Sequence, residues 1–370
     1  MTFRSFCVCL LTALWMLPAL APYAAAASQG RTTITATYVN ATFSEDTTWR
    51  GTIIVKGYVV VAPQTTLRIE PGTVIRFMPA KDSLQLPRLL VMGRIQSVGT
   101  ADRPILFTTG NAQSDRGDWG GLLLLSSEKS NQLEYCRIEG AETGLEARFS
   151  TFTAKALSIT RSTTGCILRD STVTLTSPNI NACDTGIEAH DSEIELHAAT
   201  FAANRRGMVL SRSSVVMTTV AVTGSTQQAM VTNDCRLKIN SCEISDNAAG
   251  AHIIGGEGQV FLSRFVRNRQ TALHLDSARL KISRCQIADN LRDGLMLEDD
   301  RATIWDNVIS NNGGYNLVYN GRDTVSATLN WWGGSAEATI TAKLSANSSP
   351  QRSAAVKVFP WLFEKPAIFP

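Results

Sequence analysis

Residues 165–189 read Gly-Cys-Ile-Leu-Arg-Asp-Ser-Thr-Val-Thr-Leu-Thr-Ser-Pro-Asn-Ile-Asn-Ala-Cys-Asp-Thr-Gly-Ile-Glu-Ala, and the return of the opening phrase at Gly186 decides the fold. The phrase is a small or turn residue followed by alternating apolar positions. It starts at Gly144, Gly165, Gly186, Gly207, Ala229, Gly250, Ala272, Gly294 and Asn316, in steps of 21 or 22 residues. A constant step of this size marks a chain built from stacked repeats.

Counting the small residue as position zero, positions one and three are apolar, as in Ile187 and Ala189 or Leu273 and Leu275. Positions eight and ten repeat the alternation with Val173 and Leu175, Ile194 and Leu196, Val215 and Met217, Leu237 and Ile239, and Leu280 and Ile282. A third apolar site at position fifteen holds Ile159, Ile180, Phe201, Val222, Ile244, Phe265, Ile287 and Ile309. Alternation is the signature of strands, so each repeat supplies three short ones. The turns between them are too short for the crossover helices of a doubly wound sheet, so the chain must coil. Each strand then pairs with its equivalent in the next coil at about 4.8 Å, around a stacked apolar interior. Leucine-rich horseshoes have similar periods, but their recurring leucine and asparagine phrase is missing. The expected fold is all-β: a single-stranded right-handed parallel β-helix with three strands per coil, capped at both ends.

Position eighteen holds Ser162, Cys183, Asn204, Ser225, Asn247, Asn268, Asn290 and Asn312. Asparagine tolerates left-handed backbone and its amide reaches the next copy, so this column reads as a stabilising ladder rather than a ligand site. Asp170, Asp191, Asp234 and Asp299 share position five, where aspartate acts as a turn former. The same column could string calcium ions along one edge, but the calcium-binding nonapeptide repeat is missing.

Before and after the regular array stand Leu67-Arg-Ile-Glu-Pro-Gly-Thr-Val-Ile-Arg-Phe, Val91-Met-Gly-Arg-Ile-Gln-Ser-Val-Gly-Thr-Ala-Asp-Arg-Pro-Ile-Leu-Phe, Asp118-Trp-Gly-Gly-Leu, Asn330-Trp-Trp-Gly and Phe359-Pro-Trp-Leu. With these phrases the chain resembles bacterial exported proteins with right-handed parallel β-helix repeats, the pectin-lyase-like superfamily. The resemblance covers nearly the whole chain after its N-terminal segment and points to no specific member. It implies a fold shared by pectin lyases and hydrolases, alginate epimerases, adhesin passengers and periplasmic accessory proteins of copper enzymes, and fold alone does not choose among them. Trp119, Trp331 and Trp332 sit at coil starts and at the cap, which favours sealing roles over sugar-stacking platforms.

The N-terminus carries Arg4, an apolar run from Phe6 to Leu20 broken by Pro18, and the small residues Ala24 to Ala27. That pattern is a secretory signal peptide over residues 1–27, and a membrane span would need about twenty unbroken apolar residues. The β-helix with its N-terminal cap is expected over 28–330 and a C-terminal capping segment over 331–370, in a periplasmic or secreted protein. Net charge is +3, which gives no strong field toward nucleic acid or membrane. Beyond residue 27 the cysteines are Cys136, Cys166, Cys183, Cys235, Cys242 and Cys285. Cys242 and Cys285 share position thirteen two coils apart, about 10 Å by strand spacing and beyond disulfide reach, so buried free thiols are expected.

For chemistry, the hydrolase phrases Asn-Thr-Asp, Gly-His-Gly and Arg-Ile-Lys and the Asp-Pro-His-Asp phrase of the epimerases are absent, and only Asp299-Asp300 survives. No catalytic residue and no cofactor is assigned. His252 and His274 share the outward position two on adjacent coils, a pair that would need a third ligand to hold copper or zinc. Arg236 and Lys238, Arg279 and Lys281, and Arg301 occupy outward positions seven and nine and form a basic ridge. Spaced by coils, such a ridge suits an extended anionic glycan, while a solvated charged face is the plain alternative. The leading expectation is a non-catalytic exported β-helix that binds an acidic polysaccharide or a cell-envelope partner. A polysaccharide lyase or hydrolase acting on uronate-containing glycans and a periplasmic copper accessory protein are the alternatives.

Overall fold

The structure, a computed structural model, describes residues 34–79, 85–110, 115–127, 131–299, 301–346 and 356–367. The segment expected to be a signal peptide and Asp300 lie outside the described residues. Residues 33–370 form one compact unit.

The repeats from Gly144 to Gly294 each fold into three strands that pair in parallel with their equivalents one coil away, and the repeat positions coincide with the register. In sheet I, Cys166 pairs with Ile187, Ile187 with Met208, and Met230 with Ala251. In sheet II, Val173 pairs with Ile194, Ile194 with Val215, and Val215 with Leu237. In sheet III, Ile180 pairs with Phe201, Phe201 with Val222, and Val222 with Ile244. Sheet II is an unbroken stack of 14 strands. Sheets I and III run together near the N-terminus, where the long strand Thr52–Val61 pairs with Val74–Met78 through its first half and with Arg88–Val91 through its second.

The inward columns are buried along their length, from Ile53 and Val55 through Leu168, Ile187, Leu237 and Ile244 to Leu317. Burial of each such side chain contributes about 1.5–3 kcal/mol. The small residue at position zero exists for backbone approach: a Cβ on Gly186 would lie 2.4 Å from the Gly207 carbonyl oxygen.

The bends follow one rule. Positions five, twelve and seventeen adopt positive φ, as in Asp170 (48°), Asp191 (51°), Asp234 (50°) and Asp299 (44°) at five, Ala156 (50°) and Ser177 (52°) at twelve, and Asp246 (60°) and Arg267 (55°) at seventeen. The residue that follows each bend bonds across coils. At position eighteen the backbone N–H and the side-chain Nδ2 of Asn247 both donate to Asn268 Oδ1, at 3.2 and 3.1 Å. Asn268 repeats this onto Asn290 and Asn290 onto Asn312. The expected ladder is therefore present, but for a different backbone reason: its asparagines are not the left-handed residues. The residue before each one makes the turn, and the asparagine bonds the coil edges that the turn exposes.

Two further ladders occupy the other corners. At position six Ser150, Ser171 and Ser192 donate their N–H to the hydroxyl of the next serine at 3.1–3.2 Å, and each hydroxyl donates to the carbonyl two residues back. At position thirteen Cys242 N–H reaches Ser263 Oγ, and Cys285 N–H reaches Asn307 Oδ1.

The ends are closed by aromatic and apolar side chains. Trp49 is buried and stacks on Tyr38, with Phe43 against its edge. At the other end Trp332 and Ile340 of the short helix Glu337–Thr341 are buried. Trp119 is also buried, stacked on Phe77 at 3.9 Å, with Nε1 donating to the Glu139 carbonyl. Trp331 is half-buried beside Lys365, whose Nζ lies 5.8 Å from its ring centroid.

The six cysteines among the described residues are all buried and free. Five of them stand in ladder positions, and Cys136, Cys183, Cys235, Cys242 and Cys285 each donate a thiol to the carbonyl two residues back at 3.2–3.4 Å, as the serines do. Burial pushes Cys136 and Cys285 up to about 12, and Cys183 and Cys242 to about 11. A thiolate is the reactive form, so these groups are inert in the folded state. With a thiol reagent at pH 8, we expect none of the cysteines from 136 to 285 to react in the native protein and all six to react in denaturant. Labelling of any of these six without denaturant, or of fewer than all six after unfolding, would contradict this arrangement.

Candidate functional site

The ridge of basic side chains lies on the outer face of sheet II, carried by Arg236–Asn240, Glu257–Phe261 and Arg279–Ser283. Outward positions seven and nine put Arg236, Glu257 and Arg279 in one column and Lys238, Gln259 and Lys281 in the next. Each of these side chains is exposed.

The middle coil changes the surface. Its inward position eight, filled by Leu237 before it and Leu280 after it, is Gly258. Gly258 has φ 150°, and a Cβ there would lie 1.9 Å from the Leu237 carbonyl oxygen, so no side chain fits. The preceding corner is also glycine, with φ 60° at Gly255 and 73° at Gly256. Beside this coil lies a depression of about 350 Å³, with Leu237 and Gly258 among its lining residues. Arg236, Lys238, Arg279 and Lys281 line its walls, together with Glu257 and Gln259. Four of the five ridge residues therefore converge on one hollow. Arg301 stands a coil further on, outside it.

The charges within the hollow are unbalanced. Glu257 Oε1 lies 3.5 Å from Arg236 Nε, with both side chains well exposed, so this pair holds little energy against water. Lys238, Arg279 and Lys281 have no ion-pair partner among the described residues. Three cations thus face an opening on a flat sheet, with lysines two coils or about 10 Å apart. The residues missed by sequence reasoning are Gly258 and Glu257. The run Gly255-Gly-Glu-Gly258, where an aliphatic is due at position eight, was the signal for them.

Two family models match the sequence, one described as a pectate-lyase-like β-helix domain over residues 40–148 and one as a right-handed β-helix region over residues 222–347. The chain is a right-handed parallel β-helix. No curated protein matches it. Among solved structures, the A-module of mannuronan C-5 epimerase AlgE4 from Azotobacter vinelandii is similar with TM-score 0.54 at 13% identity, over 83% of this chain and 91% of that chain. The periplasmic alginate epimerase AlgG gives TM-score 0.46 at 12% identity, over 86% and 78%. An alginate lyase from Paenibacillus sp. str. FPU-7 gives 0.34 at 10% identity, over 80% and 92%. At these identities the similarity concerns the fold of the β-helix. No helix among the described residues is long and apolar enough to cross a membrane.

On sheet I of this β-helix, His252 and His274 are register partners whose rings stack at 4.2 Å with planes 2° apart. Val231 precedes them in the column and Met296 follows. His274 Nε2 lies 3.5 Å from Glu298 Oε1. The pair offers two imidazole donors, and among the described residues no group of three or more His, Cys, Asp and Glu is placed to hold a metal ion. What the stacking dictates is protonation behaviour. Burial, and next the neighbouring His274, hold His252 below its ordinary value of 6.5, against a smaller pull from Asp276 and Glu298.

A histidine with a depressed folded pKa binds its proton more readily in the unfolded chain, so it destabilises the fold as pH drops through about 6.5. His252→Gln is expected to flatten the loss of Tm between pH 7 and pH 5 while leaving Tm at pH 8 nearly unchanged. Parallel Tm profiles for the two proteins would show that His252 plays no part.

Proposed function

We propose that this protein binds an acidic polysaccharide, without turning it over, through the depression around Gly258. The observation that carries the reading is the convergence of Arg236, Lys238, Arg279 and Lys281 on one hollow beside Gly258. Guanidinium and ammonium groups there would meet carboxylates of a chain laid along the stack. Each coil advances about 4.8 Å, close to the advance of one sugar ring in an extended glycan, so cations two coils apart address alternate sugars. Arginine contributes bidentate recognition of a carboxylate and lysine a point charge. The open, exposed setting favours many weak contacts to a polymer over tight capture of a small molecule.

Support for binding over hydrolysis comes from the composition of the hollow. Hydrolysis uses two facing carboxylates, and the residues lining this depression include one, Glu257. Mannuronan, named for the Azotobacter vinelandii epimerase with which this chain shares its fold, is the natural first probe. The same reading places the protein in the periplasm or outside the cell, supported by the signal-type pattern of Arg4, the apolar run to Leu20 and Ala24 to Ala27.

Binding of mannuronan and pectate, measured by calorimetry in low salt, should weaken at least tenfold in Arg279→Ala with Lys281→Ala, about 1.4 kcal/mol or more. It should strengthen in Glu257→Gln, which removes the one opposing charge, and fall as salt shortens the Debye length to about 8 Å. Unchanged affinity in both variants would remove the depression from consideration. Unsaturated uronate absorbance appearing in the mixture would replace binding with catalysis.

A further inference from the structure

A second hollow, of about 400 Å³, opens at the corner between sheets II and III, toward the N-terminus from the depression. Position twelve, the left-handed bend, is filled by Tyr135 with φ 48°, then by Ala156 with 50° and Ser177 with 52°. The bend is the ordinary one for this corner, which also takes Leu262 at 47° and Arg284 at 54°. Tyr135 is its large residue at this end, with the small Ala156 and Ser177 in the next two coils, and all three line the hollow.

The opposite wall is preformed. Ala101 and Pro104 line the hollow from a turn closed by the Arg103 N–H on Thr100 Oγ1 at 3.1 Å and the Thr100 N–H on the Arg103 carbonyl at 3.2 Å. On the floor, Arg137 and Asn179 are exposed. Arg137 has no ion-pair partner among the described residues. The carboxylate at the rim, Glu139, is instead held by Arg161 at 3.3 Å. The hollow therefore combines an aromatic ring, a free guanidinium, an amide and a hydroxyl from Ser177 in a space within the range of small-ligand sites.

We infer that this corner is a subsite for a single hexuronate residue, the free sugar acid or the end of a chain. The sugar packs against Tyr135, Arg137 takes the carboxylate in a bidentate pair, and Asn179 with Ser177 bonds ring hydroxyls. The pocket shares no residue with the sheet II depression, so it stands or falls independently of polymer binding there.

Saturation-transfer NMR and calorimetry with sodium D-mannuronate, D-galacturonate and D-glucuronate, with glucose and inorganic phosphate as controls, test the assignment. At least one hexuronate should bind, with glucose and phosphate at least tenfold weaker. Arg137→Gln should weaken the sugar acid at least tenfold. Tyr135→Asn, which keeps a residue suited to positive φ, should do the same with an unchanged Tm. Arg279→Ala with Lys281→Ala should leave it as in the unmodified protein. No hexuronate binding, equal binding of glucose or phosphate, or full affinity in Arg137→Gln with the same Tm would overturn the subsite. Loss of hexuronate binding in the sheet II variant alone would overturn it too, by moving the sugar to the depression.

Discussion

Everything in this protein depends on the hydrogen bonds that the corners pass from one coil to the next. A left-handed residue turns the chain, and the residue after it bonds its neighbour above or below. At the asparagine corner both the backbone and the side chain of Asn268 donate to Asn290 Oδ1, while its own Nδ2 also reaches the Ile244 carbonyl at 3.0 Å. A buried polar group left without a partner costs about 1–3 kcal/mol, so a coil that slips by one residue breaks bonds at three corners at once. Such a slip would also turn the inward columns outward. Register is therefore fixed twice, and the surface columns inherit it.

That inheritance makes the candidate sites possible. A flat parallel sheet offers no deep cleft, and both hollows lie where side chains of neighbouring coils meet. One sits beside Gly258 between two basic coils, the other beside Tyr135 with Ala156 and Ser177 in the next two coils. The repeat holds everything around them in place. Where the repeat continues without a break, as at Asp191 and Arg212, opposite charges on adjacent coils satisfy each other at 2.6 Å.

The fold was legible because strand alternation and a constant step are both linear in the sequence. Ile244 and Ile287 announce their inward direction by spacing alone, and both are buried. The serine and cysteine ladders were harder to read. Ser171 and Cys235 differ chemically, and only the shared bond to a carbonyl two residues back reveals that they do one job. The position-eighteen column was identified from its residue types, but the left-handed conformation belongs to its predecessor, as with Asp246 before Asn247. The basic ridge was visible as recurring Arg-Leu-Lys. Its division by Glu257 and the hollow beside Gly258 were not, because a hollow takes shape only once the coils above and below are in place.

The central claim is that Lys238, Gln259 and Lys281 form one column, with a single coil between successive members. Paired cysteines test it directly, since a disulfide needs Cα atoms about 4.4–6.8 Å apart and strands in a sheet lie about 4.8 Å apart. On mild oxidation of the native protein, Lys238→Cys with Gln259→Cys should close to a disulfide, and Lys238→Cys with Lys281→Cys, about 10 Å apart, should stay reduced. Efficient closure of the second pair, or failure of the first, would contradict the stacking from which both sites follow.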